Sequence, residues 1–181
     1  MCGRILPVNA ALMQIETERL ILRRFTPDDA GEYFPLAADP DINRYTGQTL
    51  AHTVEQVRQL LIDHPIRDYD VVGYGRMACI EKSSGRLIGF SGMKYLADLQ
   101  ETDIGYRFVR DAWGKGYATE SAAVLMRQCI DEFNLRRVIG LAYRQNTGST
   151  KVLKKLGLAY EREIDIDGDR LDLYALTTAS E

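Results

Sequence analysis

Trp113-Gly114-Lys115-Gly116-Tyr117-Ala118-Thr119-Glu120 lies between a strand-like run, Asp103 to Val109, and a strongly helical run, Glu120 to Phe133. Two glycines and an alanine at a strand-to-helix junction leave backbone N–H groups uncovered. The first-turn amides of a helix have no intrahelical acceptor, and the helix dipole is positive there, so the junction reads as an anion site. A diphosphate is its natural occupant. The competing explanation is a helix start where glycine only permits close packing. One glycine would favour that explanation; two, with a small residue and a preceding strand, favour a ligand.

Two familiar phosphate loops fail on spacing. A Walker-type loop needs G-x-x-x-x-G-K-[ST], but Gly116 follows Gly114-Lys115 and Val109 stands five residues before Gly114. A dinucleotide fingerprint needs G-x-G-x-x-G in the first βαβ unit. Here Thr119 occupies the third glycine position, and the segment lies in the second half of the chain.

Outward from the loop, the pattern alternates strands and helices. Glu18 to Phe25 reads as a strand. Thr26-Pro27-Asp28-Asp29 is a helix-start signal for a helix to about Ala38. A second helix spans about Thr53 to Asp63, with Pro65 expected to stop it. Tyr74 to Glu81, Leu87 to Tyr95 and Thr102 to Val109 read as three strands. In the helix after the loop, Ala118, Ala122, Leu125, Met126, Cys129, Ile130 and Phe133 share one face at a 3.6-residue period. Arg137 to Tyr143 is a strand, and Thr147 to Leu156 a helix capped by Gly157. Glu161 to Ile166 and Arg170 to Leu176 flank the hairpin turn Asp167-Gly168. The order is β-αα-βββ-α-β-α-ββ, an α/β (α+β) chain with no repeat and no internal boundary. Residues 15–178 read as a single domain, and residues 1–14 as a frayed tail without the organisation of a signal peptide.

Composition narrows the function. A charged fraction of 27% and a net charge of -3, without a long Lys/Arg run, speak against a nucleic-acid surface. No apolar stretch approaches a membrane span. Cys2, Cys79 and Cys129 show neither pairing nor metal spacing, and His52 and His64 lack ligand partners. Free buried thiols and a reducing cytoplasm are therefore expected, with no metal.

The six-residue pattern R/Q-x-x-G-x-G/A is matched at Gly116 and Ala118, its fourth and sixth positions, with Trp113 departing from Gln/Arg at the first. On this loop the chain resembles the GNAT superfamily of acyl-CoA-dependent N-acyltransferases, and WGKGYATE is similar to its RimJ/RimL branch of ribosomal-protein N-terminal acetyltransferases. Asn146-x-x-Ser149 followed by V-L-K-K-L-G-L continues the resemblance, with Leu158 in place of the usual Phe. The likeness covers Glu16 to Thr177. It implies a mixed central sheet in which the strand before the loop and the strand after its helix splay apart to admit the pantetheine arm of acetyl-CoA. It further implies cofactor contacts from Gly114, Lys115, Gly116, Tyr117, Ala118 and Thr119 to the diphosphate, and from Phe108, Val109 and Asn146 to the arm and thioester. For Asn146 and Ser149, helix capping is the competing explanation.

The chemistry asks for a base and an acid. An α-amino group titrates near 8 and a lysine ammonium at about 10.4, so an attacking amine must lose a proton. Asp103, in Asp103-Ile104-Gly105-Tyr106, matches the family's E-L-G-Y with a shorter acid, which suggests a water relay. A strand-edge acid paired with a neighbouring Lys or Arg is an equal alternative. The Tyr that many members of the family place seven residues after the Asn is Leu153 here; the RimJ/RimL resemblance implies instead that Ser149, the Ser of N-x-x-S, assists the leaving thiolate. Glu101, Asp39, Asp41 and Glu163 are candidates to hold a cationic acceptor. Tyr106, Tyr117 and Tyr143 are candidates to line the cleft. The reading is an acetyl-CoA-dependent N-acetyltransferase whose acceptor is an amine such as a protein N-terminus or a small amine, with a homodimer compatible. A CoA-binding sensor or regulatory protein of the same fold is the alternative.

Overall fold

The computed structural model describes residues 13–46 and 49–178. Thirteen strands and helices follow one another as β1 (Gln14–Glu16), β2 (Leu20–Arg23), α1 (Ala30–Ala38), α2 (Val54–Leu61), α3 (Arg67–Val71), β3 (Arg76–Glu81), β4 (Leu87–Leu96), β5 (Glu101–Phe108), α4 (Tyr117–Phe133), β6 (Arg137–Ala142), α5 (Thr147–Lys155), β7 (Ala159–Ile166) and β8 (Asp169–Thr177). The strands form one sheet in the order β1-β2-β3-β4-β5-β6-β8-β7. Every neighbouring pair is antiparallel except β5 with β6. The mixed α/β architecture expected from the sequence is present.

Strand alternation sorts the side chains onto the two faces of the sheet, and a third, smaller cluster of Ile139, Ile164 and Leu173 lies where β6, β8 and β7 meet. Met77 and Cys79 of β3 face α4 and α5, where Leu125, Met126, Cys129 and Leu153 complete one cluster. Ala78 of β3 and Phe90 of β4 face α1 and α2, with Tyr33, Leu36, Val57 and Leu61. α4 and α5 thus cover one side of the sheet, and α1 and α2, with the turn and α3 that follow, form a helical flap on the other. Cys79 and Cys129 are free and buried.

Two local features differ from the expected pattern. A short strand, β1, precedes the first expected one and pairs with β2 at Ile15↔Leu22. Three residues are too few to display a period, and Gln14 opens this strand rather than ending a tail. Residues 1–12 of the expected tail, with Cys2, lie outside the described residues. The second helix is not stopped at Pro65. It passes through a π-helical turn, Ile62–Ile66, and continues as α3. Proline lacks an N–H and crowds the preceding turn, and a π turn relieves both. Tyr69 of α3 anchors the flap: its hydroxyl donates to the Arg76 carbonyl and accepts from the Phe25 amide at 3.0 Å.

Leu153 is 1% exposed. A Cβ at Gly140 of β6 would lie 2.3 Å from Leu153 Cδ2, so α5 seats closely on β6 only because residue 140 has no side chain. Leu153 is therefore a packing residue. Leu153→Ala is expected to lower stability by about 2–5 kcal/mol, read by urea unfolding, because a neighbour held this tightly collapses little into the void.

Candidate active site

The parallel pair β5–β6 is joined at a single register position, Asp103↔Ile139. On its other edge β5 is fully paired with β4, from Leu96↔Glu101 to Gly89↔Phe108. The Val109 amide donates to the Ile88 carbonyl at 2.9 Å. In an antiparallel ladder the hydrogen-bonding direction alternates by residue, so the N–H and C=O groups of Tyr106 and Phe108 point away from β4, into the gap beside β6. Val109, expected to offer its amide to the arm, is thus corrected: its N–H is held by β4, and Phe108 with Tyr106 supplies the free edge. The Phe108 carbonyl accepts from the Trp113 indole at 2.7 Å, which leaves its amide as the donor facing the gap.

Asp103 sits where the strands part. Its Oδ1 accepts the Leu141 amide at 3.2 Å, replacing the strand-to-strand bond that would otherwise continue the ladder. Its Oδ2 lies 3.8 Å from the Arg76 guanidinium. Both sequence alternatives for Asp103 therefore have a basis: it has an arginine partner, and it stands at the mouth of the gap. Burial pushes its pKa up, opposed by Arg76, the Leu141 amide and Lys94. A raised carboxyl pKa suits a proton acceptor.

At the other end of the gap, the loop expected to hold a diphosphate is open. Gly114 and Gly116 have φ of 73° and 86°, left-handed backbone that favours glycine. Residues 113–116 are exposed. α4 begins at Tyr117 with no side-chain cap, and its first backbone bond is Glu120 N to Gly116 O at 3.0 Å. The amides of Tyr117, Ala118 and Thr119 therefore precede any intrahelical acceptor. The Tyr117 side chain is buried and donates to Glu81 at 2.6 Å, so only its backbone belongs to the loop surface.

Arg19 and Glu120 brace this loop, a pair that no local motif announces. Glu120 accepts from Thr17 Oγ1 at 2.6 Å, the Arg19 amide at 3.0 Å and the Arg19 guanidinium at 2.7 Å. Arg19 also donates to the Lys115 carbonyl at 2.8 Å and lies 4.5 Å from the Tyr117 ring centre. Burial opposes ionisation of Glu120, but these donors hold its pKa below the ordinary value. The arginine turns the Lys115 carbonyl away, so the loop presents N–H groups.

Asn146 and Ser149 flank the gap from α5. Asn146 Oδ1 accepts the Ser149 amide at 3.1 Å, so it does cap the helix. Tyr106 Oη donates to the Ser149 carbonyl at 2.9 Å and lies 3.1 Å from Ser149 Oγ. Burial keeps the Tyr106 phenol protonated. With its proton on the carbonyl, the Tyr106 oxygen accepts from the Ser149 hydroxyl, which makes Ser149 the donor of that pair. Tyr106, by sequence a candidate to line the cleft, is the group that positions Ser149. Asp103, Tyr106, Ser149 and the Phe108 amide are brought together around the gap, and Gly114–Thr119 form its far end. The acids considered for a cationic acceptor are otherwise engaged. Asp39 and Asp41 bind Arg110, Glu101 binds Arg137, and Glu163 binds Arg144. Tyr143 donates to Asp169 at 2.6 Å. Among the described residues no cluster of His, Cys, Asp and Glu could hold a metal ion.

Residues 19–159 match the acetyltransferase (GNAT) domain family model. The uncharacterised N-acetyltransferase p20 of Bacillus licheniformis is 31% identical over 147 residues, 80% of this chain and 82% of the relative. The chain belongs to the GNAT acetyltransferase family. Among solved structures, the ribosomal-protein-S5-alanine acetyltransferase of Vibrio fischeri superposes with a TM-score of 0.76 at 19% identity, over 91% of this chain and 96% of that one. The microcin C7 self-immunity acetyltransferase MccE, in complex with acetyl-CoA and AMP, superposes at 0.75 with 14% identity, over 96% and 98%. These likenesses agree in fold with the RimJ/RimL resemblance.

The elevated Asp103 pKa has a sign that can be checked. The unfolded chain releases this proton at lower pH than the folded protein does, so the group's contribution to stability is present below the unfolded value and lost as pH rises through the folded one. Asn at 103 does not titrate and can still accept from Leu141. The stability difference between Asp103→Asn and wild type is expected to move in the variant's favour between about pH 4 and pH 7. Denaturant unfolding at both pH values measures it; a pH-independent difference would contradict the assignment.

Proposed function

We propose that this acetyltransferase moves an acetyl group from acetyl-CoA to a primary amine by direct attack in a ternary complex. The observation that carries the proposal is the open gap between β5 and β6 with uncapped amides at its far end. A diphosphate on Gly114–Thr119 would receive donors and the positive end of the α4 dipole. The pantetheine arm would then lie along the β5 edge with the thioester carbonyl near the Phe108 amide. Fixed N–H donors at a developing oxyanion are often the largest catalytic contribution. Asn146, whose oxygen is engaged in capping, would offer its amide NH2 to the arm.

The two faces of the sheet divide the proton transfers. Asp103 pairs with Lys94 across β4–β5 and so lies on the α1/α2 face, whereas Tyr106 reaches α5 on the other. The acceptor approaches from the flap side and loses a proton to Asp103, through water. Its nitrogen attacks the carbonyl carbon, the C–S bond breaks, and the proton that the new amide nitrogen gives up is relayed through Ser149 Oγ on the α5 side to the departing thiolate, so that the Ser149 hydroxyl is regenerated. A thiol titrates near 8.5, so this assistance can be modest. The acceptor is a protein N-terminus or a small amine, and the buried free thiols fit a reducing cytoplasm.

Calorimetry with acetyl-CoA and with acetyl-pantetheine tests the cofactor site. Acetyl-CoA is expected to bind, and acetyl-pantetheine, which lacks the diphosphate and the nucleoside beyond it, to bind about a hundredfold more weakly or worse, the least that two charge-assisted hydrogen bonds contribute. No binding of acetyl-CoA to folded protein rejects the proposal. Thiol release with an amine panel tests turnover. Ser149→Ala is expected to lower kcat about tenfold or more with the acetyl-CoA affinity retained. Binding without thiol release from any amine would favour the sensor.

A further inference from the structure

The floor of the flap-side cleft is laid out by the β3–β4–β5 register. Arg76 is opposite Gly92, and Gly92 is opposite Gly105. While a Cβ at Gly92 would meet the β3 backbone at Arg76, a Cβ at Gly105 would meet the Arg76 guanidinium at 3.0 Å, so the arginine lies against a residue without a side chain. It is held there over the Phe90 ring, at 5.1 Å from its centre. One end points to Asp103. The side chain also lines a cavity of about 30 Å³ beneath α2 and the π turn, shared with Tyr33, His64, Asp68, Phe90 and Lys94.

The donors of this cavity exceed its acceptors. Arg76 Nε is buried without a hydrogen-bond partner. Its nearest carboxylate, Asp103, is 3.8 Å away, an ion pair without a direct hydrogen bond. Lys94, beside it, makes no ion pair among the described residues, and burial together with Arg76 pulls its pKa down. The acid in the lining is Asp68, whose pKa burial raises. A buried donor left unmade costs about 1–3 kcal/mol, so a planar guanidinium kept this way is a prepared anion receptor. The volume suits a carboxylate or the few waters that would stand in for it, given roughly 10–15 Å³ for each water.

We infer that the acceptor is an amine that carries a carboxylate a few bonds from its nitrogen, bound with the carboxylate on Arg76 and Lys94 and the nitrogen toward Asp103. The inference rests on the proposed N-acetyl transfer and specifies its substrate class. Arg76 touches both Asp103 and the cavity, so one small molecule spans from anion receptor to base. The two cations also favour the neutral form of a neighbouring amine, which is the form that attacks. Polyamines and aminoglycosides are disfavoured on the same ground, and the acids considered for a cationic acceptor are paired with Arg110, Arg137 and Arg144. The carboxylate can belong to a free amino acid or to an acidic side chain at a peptide N-terminus.

The test compares matched acceptors on the full-length protein with acetyl-CoA present. The twenty amino acids, their C-terminal amides, peptides beginning with Asp, Asn, Glu or Gln, and spermidine are assayed for acetylation by mass spectrometry and thiol release. Calorimetry on CoA-loaded protein measures the corresponding N-acetyl products. Free carboxylates are expected to exceed their amides about tenfold or more in kcat/KM or in product affinity. If a side chain is the source, Asp or Glu peptides exceed the Asn or Gln ones instead. Arg76→Gln and Lys94→Gln should each bring the preference close to unity, with the Kd for acetyl-CoA within about twofold of wild type; Lys94→Gln serves if Arg76→Gln does not fold. Equal or better use of amides or spermidine by wild type overturns the inference, as does a preference that survives in the folded variants, or a panel in which no carboxylate is favoured in turnover or binding. Failure of acetyl-CoA itself to bind is separate: it removes the transferase proposal on which this inference stands.

Discussion

One missing stretch of ladder organises this molecule. β5 is hydrogen-bonded to β4 along its whole length, yet meets β6 at Asp103↔Ile139 alone. Beyond that point one edge of β5 has donors and acceptors without a strand to receive them. A buried polar group without a partner costs about 1–3 kcal/mol, so the edge is tolerable only where water or a ligand reaches it. Asp103 takes the Leu141 amide at the point of divergence. The α5 side of the gap is fixed by Leu153 against Gly140, which sets the distance from which Ser149 and Tyr106 act.

Much of this was legible in the sequence, and the exceptions share a cause. The period of α4 and the two glycines before it located the loop, because a local pattern encodes a local structure. The strands were equally readable wherever alternation lasted five residues or more. β1, with three residues, had no period to show. Pro65 was misleading because its usual effect on a helix was absorbed by a π turn. The parting of β5 and β6 came from family resemblance, not from the composition of either strand. Phe108 and Val109 were both named for the arm, but adjacent amides face opposite edges: strand pairing with Ile88 turns the Val109 amide to β4, and pairing parity is a long-range property.

The same limit explains the residues that were missed. Arg19 and Glu120 are about a hundred positions apart and meet only because β2 returns beside the start of α4. Tyr106 reaches Ser149 across 43 positions. Arg76 looks like an ordinary polar residue in an alternating strand. Its significance depends on Gly105, whose missing side chain makes room for the guanidinium. The chain as a whole is acidic, at net -3. The flap-side floor nevertheless carries Arg76, Arg107 and Lys94 on one face, so overall charge was a poor guide to local charge.

The central claim is that the backbone amides of Gly114 to Thr119 are unpaired until a diphosphate reaches them. Hydrogen exchange on the full-length protein, resolved to single amides, reads this directly with and without acetyl-CoA. The account predicts rapid exchange of these amides in the free protein and strong protection on binding, with the α4 interior from Ser121 onward protected in both states. Slow exchange in the free protein, or protection that acetyl-CoA leaves unchanged, would contradict it.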